Sequence, residues 1–177
     1  MTNLINLITI IRIILAPLIL FFLTTGNYLM CTLLFFVAGL TDYFDGHLAR
    51  KYNAESQLGE ILDPIADKIL IVFILLGLSV ALDSFLIAFL SSLIIAREIG
   101  VAALRDYSAR NNISDRTKVT FLAKTKTAVQ LFTIGSYLLA MTLNLNLLIV
   151  VSDILLMIAT LITIYTGYQY ALKVSQK

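Results

Sequence analysis

Apolar runs, each long enough to cross a bilayer and each closed by a short polar break, decide what this chain can become. They fall at about 4–23, from 28 past 40, and at 60–81, 84–105, 121–143 and 146–170. A helix needs about 20 residues to span the hydrocarbon. There every backbone N–H and C=O must be satisfied within the segment, which favours helices. The expected fold is therefore all-α: one integral-membrane bundle of six transmembrane helices filling residues 1–177, with no repeat, low-complexity tract or second domain. Pro17 is expected to kink the first helix.

Composition agrees. The chain is 59% hydrophobic and 14% charged, whereas soluble domains are about 45–50% apolar and about 25% charged. A net charge of +2 gives no reason to invoke nucleic acid. The single cysteine, Cys31, lies in an apolar run and reads as a small hydrophobe. The first run carries Arg12 at its middle and lacks both a basic leader and a cleavage site, so it reads as a retained helix rather than a signal peptide.

Orientation follows from the loop charges. With six spans, one side holds Arg50, Lys51, Arg105, Arg110, Arg116, Lys118, Lys124, Lys126, Lys173 and Lys177. The other holds 24–28, Asp83 and 144–146, without a Lys or Arg. Both termini and the basic loops are expected in the cytoplasm.

On that face lie four aspartates. Asp42 and Asp45 are three residues apart, and Asp63 and Asp67 four apart, so each pair shares a helix face. With helices two and three taken as antiparallel neighbours, both pairs arrive at one depth. Clustered carboxylates repel one another and resist desolvation. Hard divalent cations supply the missing charge and leave coordination positions for phosphate oxygens. Gly46 permits close approach to the backbone, and Arg50, about one turn on, can pair with a phosphate. These are the parts of a phosphoryl-transfer site; the plain alternative is a solvated loop pairing its charges with Arg50, Lys51 and Lys68.

The full pattern is D-x2-D-G-x2-A-R-x8-G-x3-D-x3-D, from Asp42 to Asp67 through Ala49 and Gly59. It resembles the signature of the CDP-alcohol phosphatidyltransferase family, with every fixed position present. The resemblance implies a homodimer with a cytoplasmic-facing site. It also implies Mg²⁺ or Mn²⁺, two ions in all, held by Asp42, Asp45, Asp63 and Asp67. Gly46 and Arg50 would contact the CDP diphosphate, Ser56 would lie near the nucleotide, and Asp67 would act as general base.

Three more segments resemble the bacterial phosphatidylglycerophosphate synthase branch: Asn6, Thr9 and Arg12 followed by Pro17; Ala96-Arg97-Glu98-Ile99 with Leu104-Arg105; and Lys124-Thr-Lys126-Thr127 with Gln130. Ala123 departs from the glycine usual there. The resemblance covers roughly residues 4–130. It implies CDP-diacylglycerol as donor, with the polar stripe of Asn6, Thr9 and Arg12 near its head group, and glycerol 3-phosphate as acceptor.

A dianionic acceptor calls for extra cations. Arg97 falls within a span, where an unpaired charge costs about 2.5–3.5 kcal/mol or more. It is a candidate for the acceptor phosphate, against an ion pair with Glu98 that adjacent helix positions disfavour. Lys124 and Lys126 are candidates too, although anchoring at the cytoplasmic face also explains them. Arg105 reads first as a snorkelling interfacial charge and second as an acceptor ligand. Asp153 lies toward the external end and is left out of the site. His47 reads as incidental, and Tyr28, Tyr168 and Tyr170 as interfacial belt residues.

Other readings stay in view. The same family could use inositol phosphate, serine or phosphatidylglycerol as acceptor, but neutral or zwitterionic acceptors have no use for the Arg97, Lys124 and Lys126 cluster. A membrane prenyltransferase would separate its aspartate motifs widely, whereas here they lie between 42 and 67. A divalent-cation channel or carrier would place acids along a mid-membrane path, and these gather at one face.

Overall fold

In the computed structural model the backbone is described for residues 2–52, 57–111 and 121–175, and side chains for 7–42, 59, 61–111 and 125–175. Among these residues the fold is all-helical: α1 (Thr2–Thr24), α2 (Tyr28–Tyr52), α3 (Gln57–Ala81), α4 (Phe85–Arg110), α5 (Phe121–Leu143) and α6 (Asn146–Ser175). Four of them are long and apolar enough to cross a membrane: 7–24 of α1, 61–81 of α3, α4 and α6. α1 runs on through Pro17. Large apolar side chains stand outward, among them Phe21, Phe85, Phe132, Leu147 and Leu161. An apolar exterior of this extent suits hydrocarbon rather than water.

The helices form a ring in the order α1–α3–α4–α6–α5–α2, with α2 closing against α1. α1 and α3 run parallel in a constant register: Thr9 meets Asp63, Arg12 meets Asp67, and Leu23 lies against Gly77. A Cβ on Gly77 would come within 2.7 Å of Leu23 Cδ1, so this glycine sets how closely the two helices pack. α4 and α6 are likewise parallel, while α2 packs antiparallel to α1 and α5. The expectation that α2 and α3 are neighbours is therefore corrected: among the described residues α1 stands between them.

Three turns end α1, α3 and α5 in the same way. A residue with positive φ (Gly26 at 80°, Asp83 at 44°, Asn144 at 53°) lets the next amide reach back five residues. The bonds are Asn27 N–H to Phe22 O, Ser84 to Ser79 and Leu145 to Ala140, the closure that satisfies orphan carbonyls at a helix end. Asn27 and Ser84 then cap α2 and α4 by accepting from Met30 and Ile87. The tight turns share one end of the ring, and the motif aspartates lie toward the other.

Beneath lies a core built from Ala16, Ile19, Phe35, Ile74, Leu78, Ile134, Tyr137 and Leu138. Cys31 is buried there, its Sγ 3.6 Å from Ile19 O, as a small core residue. Tyr137 donates to Asp153 at 2.5 Å between α5 and α6.

Candidate active site

Arg12 is among the largest fully buried side chains in the protein. Its Nη1 lies 2.8 Å from Asp42 Oδ1 and 2.9 Å from Asp67 Oδ1, while both aspartates remain about half exposed. One α1 nitrogen thus joins carboxylates from α2 and α3. A turn away, buried Thr9 donates its hydroxyl to Asp63 Oδ1 at 2.7 Å. The polar stripe on α1, expected beside the donor's head group, binds the aspartates themselves at Thr9 and Arg12.

The donor set is all carboxylate oxygen, the kind Mg²⁺ and Mn²⁺ take, and water reaches it. Among the described residues no three acidic, His or Cys side chains converge on one point. Asp45, the fourth member of the motif, lies outside the described side chains, as do Asn6, Gly46, Arg50 and Lys124. Ser56 lies outside the described residues entirely.

A second cluster faces the first across the ring. Arg97 and Lys126 both donate to Glu98 Oε1, Arg97 at 3.0 Å, and all three side chains are largely buried. Arg97 Nη2 also donates to Thr166 on α6 at 2.7 Å. Arg105 donates to Tyr170 Oη at 3.1 Å, and both guanidiniums approach the Tyr170 ring, at 5.9 Å for Arg97 and 5.2 Å for Arg105. Several expectations change here. Arg97 does pair with its sequence neighbour, because both side chains turn inward and Glu98 Oε1 accepts from Arg97 as well as from Lys126. Lys126 is buried rather than anchored at the surface. Tyr170 is 2% exposed, so it is no belt residue, and Arg105 is bonded to it.

A cavity of about 420 Å³ joins the two clusters. Asp67 and Lys68 of α3, Arg97, Glu98 and Arg105 of α4, Lys126 and Gln130 of α5, and Tyr170 of α6 line it. Four cations against two carboxylates leave an excess of two positive charges. The space suits a small, doubly anionic ligand with one end at Asp67. The sequence reading places none of Glu98, Thr166 and Tyr170 in the site, although Thr163, Thr166 and Tyr170 recur at helical spacing in α6 and are all buried.

The chain also resembles known proteins over most of its length. The family model for CDP-alcohol phosphatidyltransferase matches residues 2–165. The chain is 41% identical over 172 residues to the CDP-diacylglycerol–glycerol-3-phosphate 3-phosphatidyltransferase of Rickettsia bellii, covering 95% of this chain and 93% of the relative. It is 36% identical over 166 residues to the protein of that name from Haemophilus influenzae, covering 92% and 88%. Against that of Escherichia coli it is 34% identical over 132 residues, covering 73% and 72%.

Proposed function

The chain belongs to the CDP-alcohol phosphatidyltransferase family, and we propose that it transfers the phosphatidyl group of CDP-diacylglycerol to glycerol 3-phosphate in phospholipid biosynthesis. The relatives carry that activity in their names. The observation that carries it here is the cavity linking Asp67 to Arg97, Arg105 and Lys126. Glycerol 3-phosphate is a dianion with a hydroxyl at the far end of a three-carbon chain. With its phosphate on the basic wall, that hydroxyl reaches toward Asp67.

In the proposed reaction Asp67 takes the proton of the 1-hydroxyl. The oxygen attacks the phosphorus bearing diacylglycerol; a new P–O bond forms as the bond to CMP breaks, giving phosphatidylglycerophosphate and CMP. Arg12, bonded to Asp67 Oδ1, fixes the direction of the carboxylate. Asp42, Asp45, Asp63 and Asp67 would hold two Mg²⁺ or Mn²⁺ ions, which supply charge neutralisation to the diphosphate. Gly46 and Arg50 would receive that diphosphate, with Asn6, Thr9 and Ser56 near the donor, and Lys124 would join the acceptor cations.

The bundle is proposed to cross a bacterial-type inner membrane six times, with both termini and the site facing the cytoplasm, and to act as a homodimer. The basic residues on one set of loops, against none in the turns at 24–28, 83 and 144–146, support this orientation. Acyl chains can then stay in the bilayer while the head group enters the site.

The test is release of CMP by purified protein given CDP-diacylglycerol, Mg²⁺ or Mn²⁺, and one acceptor at a time. Release with glycerol 3-phosphate is expected. Release only with inositol phosphate, serine or phosphatidylglycerol overturns the acceptor, and none with any alcohol overturns the enzyme.

A further inference from the structure

The basic wall of the cavity is held from behind by α6. Arg97 rises from α4 and lies along α6 where that helix presents Thr166, Gly167 and, one turn on, Tyr170. A Cβ on Gly167 would fall 2.8 Å from Arg97 Cγ and 3.1 Å from its Nε. Those atoms belong to the buried stem of the arginine, not to a free end that could swing aside. Glycine therefore opens a slot for Arg97. Within the slot Thr166 accepts from Nη2. Tyr170 sets both guanidiniums against one ring and accepts from Arg105 through its hydroxyl. A buried aromatic ring that both cations approach offsets part of their mutual repulsion, and the arginine fork needs fixed placement to match phosphate geometry.

We propose that Thr166, Gly167 and Tyr170 are positioning residues for the acceptor: they set the separation and direction of Arg97 and Arg105, and through these the affinity for a phosphorylated alcohol. This rests on the proposed phosphatidyl transfer and assigns the last helix a part in it. None of the three is asked to touch the reacting atoms. Disturbing them should act on acceptor binding and leave the lipid and the chemical step nearly unchanged.

The experiment is steady-state CMP release by full-length Gly167→Ala, Thr166→Val, Thr166→Ser and Tyr170→Phe in detergent, varying glycerol 3-phosphate and CDP-diacylglycerol separately. Gly167→Ala is expected to raise the acceptor KM by about tenfold or more, because it shifts the Arg97 stem. Thr166→Val and Tyr170→Phe should raise it less, and Thr166→Ser should restore it. The KM for the lipid and kcat should stay within about twofold. Equal changes in both KM values, or a kcat loss with the acceptor KM unmoved, overturn the inference while the wild type remains a glycerol-3-phosphate enzyme. If Gly167→Ala fails to fold, the nearly isosteric Tyr170→Phe and the Val/Ser pair at Thr166 decide. A folded wild type inactive with glycerol 3-phosphate overturns the proposed function and this inference together.

Discussion

Arg12 Nη1 lies 2.9 Å from Asp67 Oδ1 and, from the same nitrogen, 2.8 Å from Asp42 Oδ1, so one buried cation fastens α2 and α3 to the helix between them. A buried guanidinium is tolerable only when paired, and carboxylates this close are tolerable only near positive charge. Each side of the contact thus answers the other's electrostatic cost. Further along the same interface Leu20 and Leu23 of α1 lie against Gly77 of α3.

Arg12→Gln should therefore damage the site more than the bundle. Stability is expected to fall by about 1–3 kcal/mol, the scale for losing a charged hydrogen-bond partner, because the half-exposed aspartates can turn to water. Turnover should fall much further, as Asp67 loses its direction. Arg12→Lys keeps the charge and should recover part of it. Thermal unfolding measured beside CMP release separates the two effects; equal losses in both would make Arg12 a structural residue only.

Asp67→Asn keeps size and polarity but removes the proton acceptor. A general base contributes about 10²–10⁴-fold, so CMP release should drop by that order while the unfolding temperature changes little. A variant that retains wild-type turnover would remove Asp67 from the role of base and leave the proton to another group on the cavity wall.

The helices and the acidic motif were readable in the sequence because they rest on local regularities, apolar length and i,i+3 or i,i+4 spacing. The ring order was not. That α1 lies between α2 and α3 depends on where small residues such as Gly77 allow close approach, which no single helix reveals. Adjacent positions such as Arg97 and Glu98 diverge at Cβ, yet their long side chains curl back, Glu98 toward Lys126 and Arg97 toward Glu98 and Thr166. The contribution of α6 was visible only as weak punctuation: Thr163, Thr166 and Tyr170, in a helix whose apolar residues drown the signal.

Thr9→Val tests the link between α1 and the proposed metal site. It removes the hydroxyl bonded to Asp63 at near-constant shape. Groups that orient metal ligands typically matter by about 10–100-fold in metal affinity or activity. The Mn²⁺ concentration giving half-maximal activity should rise on that scale. Mn²⁺ should also raise the unfolding temperature of the wild type more than that of the variant at equal metal. EDTA should abolish turnover in both, with Mg²⁺ or Mn²⁺ restoring it. An unchanged Mn²⁺ response in the variant would confine Thr9 to packing.

The sidedness proposal predicts which surfaces face which compartment. Thr25 and Leu145 lie exposed at the turns after α1 and α5, and Asn111 and Ser175 are exposed at the ends of α4 and α6. Cys31 is fully buried and should give a silent background. A membrane-impermeant maleimide is expected to label Thr25→Cys and Leu145→Cys in cells whose inner membrane is intact. Asn111→Cys and Ser175→Cys should react only after that membrane is opened. The reverse pattern would turn the protein over and place the aspartates outside. Labelling of Thr25→Cys but not Leu145→Cys would mean an odd number of crossings between the two turns, which six crossings, one by each helix, do not allow.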